Sequence, residues 1–109
     1  MSIWPPPPDL ASIRELVRDA DVEGFIATHG APVDEYDPEA DELQAAIAPL
    51  KTGDITAINL LPLLEAIWRR NHIDDDAELA LRRPGLLGLA EQISRFFGPE
   101  AQPQVRERS

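Results

Sequence analysis

The chain has 109 residues, no cysteine, eleven prolines, six glycines and a formal charge of −10 from 20 acidic and 10 basic side chains. A single domain of this size buries about two-thirds of its unfolded surface, so a core is attainable without staples. The missing cysteines exclude disulfides, thiolate metal sites and thiol chemistry, and the acidic balance argues against a nucleic-acid binder, which needs Lys and Arg to displace phosphate counterions.

Met1-Ser2-Ile3-Trp4 leads at once into Pro5-Pro6-Pro7-Pro8. There is neither a basic stretch nor an apolar stretch of export-signal type, so the expected location is cytoplasmic. No apolar run approaches the ~20 residues of a membrane span. Residues 1–8 read as a polyproline lead-in, either a stiff spacer or a peptide that docks in an aromatic-lined groove.

The first helix is expected from Asp9, whose carboxylate can cap the amides that follow. Leu10, Ile13, Val17 and Ala20 repeat on one helical face. Asp21 can cap a second short turn through Val22, Phe25 and Ile26, which Gly30 and Pro32 stop. Residues 9–29 read equally as one bent helix or as two.

Residues 33–38 form a loop that contains Asp34-Glu35-Tyr36-Asp37-Pro38. Asp37 before Pro38 reads as an N-cap followed by proline at the first helical position. Glu39, Asp41 and Glu42 then load the first turn with negative charge, and Ala40, Leu43, Ile47 and Leu50 form the buried stripe. Pro49 and Gly53 end this helix. The next segment is the most apolar, with Leu60, Leu61, Leu63, Leu64, Ile67 and Trp68 covering more than half a helix circumference, as a central helix does. Its start stays open: Asp54 or Thr56 would place Pro62 inside the helix, whereas Asn59 would place it in the first turn. Asp74-Asp75-Asp76 reads as a helix start, residues 77–83 as a short helix, and Pro84 as the opening of a last helix with Leu86, Ala90, Ile93 and Phe97 on one face. Gly98-Pro99 ends it, and residues 99–109 read as a disordered tail.

No strand alternation or internal repeat is present, so the expected fold is all-α, a small bundle of four to five short helices with flexible termini, in a single domain over residues 9–98. The expected core is Leu10, Ile13, Val17, Leu43, Ile47, Leu61, Leu64, Trp68, Leu89, Ile93 and Phe97.

Charge is unevenly spread. Residues 1–54 hold twelve acids and three bases, a net of −9, and residues 55–109 hold eight acids and seven bases, a net of −1. Six acids fall between Asp34 and Glu42. Clustered oxygens suit a hard cation, but an EF-hand loop needs glycine at its sixth position, and counting from Asp34 that position is Glu39. The run reads instead as a helix cap with a solvated acidic face. His29 and His72 stand near helix ends, where a protonated imidazole is favourable, and no H-E-x-x-H pair is present. Gly85-Leu86-Leu87-Gly88 lacks the serine of a nucleophile elbow, and Lys51-Thr52-Gly53 is a helix exit rather than a phosphate loop. No catalytic residue, metal ligand or cofactor is therefore expected.

At Gly30-Ala31-Pro32 and Asp34-Glu35-Tyr36-Asp37 the chain resembles a small uncharacterised bacterial family of short all-helical proteins. That family places a Trp-Asp-Pro turn after its first helix and then a G-A-P/D-E-Y-D loop. Ala20-Asp21-Val22 stands at the turn, so only Asp21 is retained there. The resemblance runs from about Leu10 to His72 and implies an all-α fold. It brings no activity or cofactor.

Asp34, Glu35, Tyr36 and Asp37 are the candidate binding residues. In one reading Asp37 caps the following helix while Tyr36 packs its ring on the core and sends its hydroxyl to a polar partner. In the other the loop presents carboxylates and an aromatic ring to an Arg-rich target. The expected function is a non-enzymatic helical interaction domain that binds itself, as a homodimer, or a basic protein, and neither nucleic acid nor membrane. The alternatives are an acidic neutraliser of immunity or antitoxin type and, more remotely, a metal-dependent enzyme.

Overall fold

Five α-helices and no strand occur among the described residues. The computed structural model describes residues 8–30, 32, 35–72, 75–99 and 101, with Phe25 and His29 described by their backbone alone. The proline lead-in through residue 7, Asp34, Asp74 and the tail from residue 102 lie outside the described residues.

The first helix, α1 (Leu10–Ala20), is capped by Asp9, whose carboxylate accepts the Ser12 amide at 2.9 Å. Residues 9–29 divide into two helices because Asp21 turns the chain. It ends α1 with φ 42°, in the left-handed region, and its carboxylate then accepts the amides of Ile26 at 3.2 Å and Ala27 at 2.9 Å. Those are the free donors that open α2 (Phe25–His29). Aspartate tolerates the left-handed turn because its short side chain bonds nearby backbone.

The third helix, α3 (Asp37–Ile47), follows, and then a single 3-10 turn, Thr52–Asp54. The fourth, α4 (Ala57–Asn71), starts at Thr56, whose hydroxyl accepts the Asn59 amide at 3.3 Å. Pro62 therefore lies inside the helix. The fifth, α5 (Asp76–Phe97), is capped by Asp75 and runs unbroken through Pro84 for 22 residues. The separate short helix expected over residues 77–83 does not form. An interior proline removes one backbone bond and costs about 3 kcal/mol. Both prolines are exposed, as are Ile58 and Ala80, whose carbonyls lose their donor. Each freed carbonyl therefore belongs to an exposed residue, and packing between α4 and α5 carries the helices through.

The helices close a ring: α1 and α4 each pack on both α3 and α5. Each neighbouring pair is antiparallel. Arg14 meets Asp41 while Arg18 meets Asp37. Glu42 meets Arg70 while Glu39 meets His72. Arg69 meets Asp76 while Glu65 meets Arg83. Val22, just past α1, lies against Gly85 of α5, where an added Cβ would sit 3.5 Å from Val22 Cγ1. The result is an up-down-up-down four-helix bundle with α2 as a short insert.

Of the expected core, Ile13, Val17, Leu43, Ile47, Leu64, Trp68, Leu89, Ile93 and Phe97 are buried. Leu10 and Leu61 are only half-buried, Leu10 because it lies in the first turn of α1 at an end of the bundle, Leu61 because it packs on the edge of the core. Tyr36, Ile55, Leu60, Ile67, Leu79 and Leu86 join the core instead. Gly98 ends α5 against the loop before α4, where an added Cβ would stand 2.3 Å from the Ile55 carbonyl oxygen. No helix among the described residues is long and apolar enough to cross a membrane.

Candidate functional site

The candidate loop residues go to different places. Glu35 is exposed and Tyr36 is fully buried. Asp37 is not a side-chain cap. Tyr36 occupies the capping position without a side-chain hydrogen bond to α3, and Asp37 is the first helical residue. Its carboxylate turns to α1, 3.5 Å from Arg18 Nη2 and 3.7 Å from Arg14 Nε. With proline at the second helical position no amide is lost there, and the Asp37 charge still favours the positive helix end.

Tyr36 forms a lock between α1, α2 and α3. Its hydroxyl donates to Asp21 Oδ1 at 2.6 Å and accepts the Glu23 amide at 3.1 Å. Burial pushes the Asp21 carboxyl up, but the Tyr36 hydroxyl and the amides of Ala27 and Ile26 outweigh it and hold it below the ordinary aspartate range. Asp21 and the Tyr36 loop, fifteen positions apart, are therefore joined in one contact.

The Tyr36 ring stacks on Trp68 with centroids 6.3 Å apart, and Trp68 in turn meets the His72 ring at 5.6 Å. The Trp68 indole N–H is buried and needs an acceptor. Glu23 supplies it: Oε2 accepts from Trp68 Nε1 at 2.9 Å, while Oε1 accepts from Arg82 Nε at 2.9 Å. The Glu23 side chain is only 7% exposed. One carboxylate thus clasps α4 and α5 to the turn between α1 and α2. Sequence reasoning did not single out Glu23. The one available signal was a tryptophan on an all-round apolar helix, which demands a distant acceptor without naming it.

The acidic run is largely spent inside the molecule. Asp37 and Asp41 pair with Arg14 and Arg18 of α1, with Arg14 Nη2 2.9 Å from Asp41. Glu42 accepts from Arg70 Nη2 at 2.7 Å and from Asn71 at 2.9 Å. Those two bonds hold its carboxyl below the ordinary glutamate range, against the opposing push of burial. Glu39, expected on a solvated face, is buried. Its Oε2 lies 2.6 Å from His72 Nε2, while its Oε1 is buried with no hydrogen-bond partner. The expectation fails here because the first turn of α3 faces α4 rather than solvent. His72 is the C-terminal capping residue of α4, as a histidine near a helix end suggests, and it is half-buried rather than a surface group.

A second feature lies on the other side of the bundle. An open groove of about 490 Å³ runs along the seam of α1 and α5. Leu16, Ala20, Leu89 and Phe96 form its apolar walls, Gly85 and Gly88 its floor, and Asp19 and Gln92 its polar rim. An added Cβ at Gly88 would meet nothing within 4 Å. Nothing in the sequence pattern announces this groove, although Gly85 and Gly88 one turn apart leave a helix flank bare.

Among the described residues no group of three or more His, Cys, Asp or Glu is placed to hold a metal ion. The buried carboxylates serve the fold: Glu23 accepts from an indole and a guanidinium, and Asp21 from a phenol and two amides. No protein-family model, curated protein or solved structure matches the chain.

Proposed function

We propose that the chain is a cytoplasmic, non-enzymatic helical interaction domain, and that its docking surface is the α1–α5 groove rather than the acidic loop. The supporting observation is the groove itself. Its volume of about 490 Å³ falls in the ~300–1,000 Å³ range of binding sites, and it combines apolar walls with few polar rim groups, as such sites do. By contrast Asp37, Asp41 and Glu42 already carry Arg partners from α1 and α4. A basic target at the loop would have to displace those pairs. The segment that fits the groove is apolar, with a donor or a positive charge for Asp19, which is exposed.

The test compares two variants of the full chain in affinity capture with mass-spectrometric identification. Gly88→Leu fills the groove, and Glu35→Ala removes the exposed loop carboxylate. A partner held by the parent and by Glu35→Ala but lost with Gly88→Leu supports the groove. The reverse pattern moves the function to the acidic loop and to the neutraliser of a basic partner. Light scattering reads the self-partner version, and a strict monomer at high concentration removes the homodimer.

A further inference from the structure

We propose that the α1–α5 groove takes the first half of α5 from a second copy of this chain, with Leu81 of each copy seated over Gly88 of the other; this rests on the groove being a docking site for an apolar segment. The two halves of α5 differ in what lies beside them. α1 and α5 are antiparallel, with Val22 against Gly85. Since α1 ends at Ala20, it flanks α5 only from about Leu87 onward. Before that point the outer flank of α5 is not covered by α1. Ala77, Leu81 and Pro84 recur there at helical spacing, and all three are exposed. Leu81 is 73% exposed, a large apolar side chain that nothing within the bundle buries. Gly85, Gly88 and Gln92 continue the same face one, two and three turns further on. There the groove leaves room, since an added Cβ at Gly88 meets nothing within 4 Å. One face of one helix thus carries an unburied apolar ridge in its first half and an open trough in its second.

That arrangement is self-complementary. In a two-fold pair, residue i of one copy meets residue j of the other, and j meets i. One antiparallel crossing of two α5 helices therefore seats both ridges in both grooves. Charge favours the same orientation. With Leu81 set midway between Gly88 and Gln92 of the other copy, Glu78 comes level with Ile93, about 3 Å of rise from Arg95. The facing ends of the two stripes then carry opposite charges. Between those ends Leu81, Pro84, Gly85, Gly88 and Gln92 carry none. In the same register Arg82 of the entering helix comes within about one residue of the level of Asp19 on the groove rim. A parallel pairing would instead set Glu78 beside Glu78 and Leu81 beside Leu81, and would leave both grooves empty.

Sedimentation equilibrium of the full chain tests this. The expected result is a monomer–dimer equilibrium that Leu81→Glu weakens by at least about tenfold. Ile58→Glu, at another exposed apolar residue on α4, leaves it unchanged. Leu81 is exposed in each copy, so the variant keeps the circular dichroism of the parent. Because the chain has no cysteine, the register can be read by oxidative cross-linking. Leu81→Cys mixed with Gly88→Cys gives the mixed disulfide. Leu81→Cys alone gives little, since the two copies of that position lie roughly nine residues, about 13 Å, apart along the crossing. A strict monomer at high concentration overturns the proposal. So does a dimer that Leu81→Glu leaves intact, or one in which Leu81→Cys alone links as readily as the mixture. If a captured partner is lost with Gly88→Leu while the chain stays monomeric, the groove remains a docking site and only the second copy falls. If the chain is monomeric and no captured partner depends on Gly88, both readings fall.

Discussion

The two sides of α1 are closed by different means. Toward α3, Arg14 and Arg18 meet Asp41 and Asp37, and below them the Tyr36 hydroxyl binds Asp21 while its ring stacks on Trp68. Toward α5, Leu16 and Ala20 face Gly85, Gly88 and Leu89 across an open groove. The first side carries directional bonds to buried groups, so it admits one arrangement. The second carries small residues, so it leaves room. The difference shows where this bundle is tightly specified and where it leaves open space.

The largest expected effect sits on the closed side. Trp68→Ala removes a fully buried ring that contacts Tyr36, His72 and Glu23, at an expected cost of ~3–5 kcal/mol. Denaturant titration reads it, and a midpoint equal to that of the parent would break the comparison outright. Glu23→Ala comes next. It leaves the Trp68 indole and the Arg82 guanidinium without their acceptor, which should cost about 3 kcal/mol. Glu23→Gln keeps an acceptor for the indole and should recover part of that loss. Equal destabilisation by Ala and Gln would show that the ion pair, not the indole bond, carries the clasp.

Gly98→Ala places a Cβ 2.3 Å from the Ile55 carbonyl, and the forced shift should cost ~1–3 kcal/mol. A melting temperature within error of the parent would mean that the α5 end yields freely. Tyr36→Phe removes one hydrogen bond on each side of the hydroxyl, for about 1–2 kcal/mol. This variant also has a pH signature. The folded Asp21 carboxyl is held below its ordinary range partly by Tyr36, so its contribution is present above the unfolded value of about 3.9. It is lost as pH falls through the lower folded value. The stability gap between parent and Tyr36→Phe should therefore shrink on acidification below the unfolded value. A gap that stays constant from neutral pH into that acid range would refute the Asp21 lock.

The smallest effect belongs to the open side and has the opposite sign. Gly88→Ala meets no atom within 4 Å and replaces a poor helix former, so stability should rise by ~0.5–1 kcal/mol. A loss instead would show that the groove floor is already filled.

Much of the fold was legible because helix faces repeat every 3.6 residues. Ile13 and Val17, Leu43 and Ile47, and Leu89 and Ile93 are buried as their spacing implies. The prolines were less readable. Whether Pro62 or Pro84 ends a helix depends on whether the freed carbonyl meets water or protein, and that is a property of the assembled bundle. The site was legible only in part. The Tyr36 ring and hydroxyl follow the structural reading of the loop, because a buried phenol needs a partner nearby. The partners of the acidic run were invisible, since Arg70 reaches Glu42 across 28 positions. Glu23 was invisible for the same reason.

The reach of that clasp bears on how the chain comes apart. Glu23 bonds Trp68 across 45 positions and Arg82 across 59. Closing such long loops costs little more chain entropy than closing short ones, about 0.6 kcal/mol per doubling. The carboxylate therefore links the first third of the chain to the last at small entropic expense. The α1–α3 portion and the α4–α5 hairpin cannot separate without breaking both of those bonds and exposing the Trp68 ring to water. Amide exchange in α1, α4 and α5 should consequently converge on a single opening free energy, with the bundle melting as one cooperative unit.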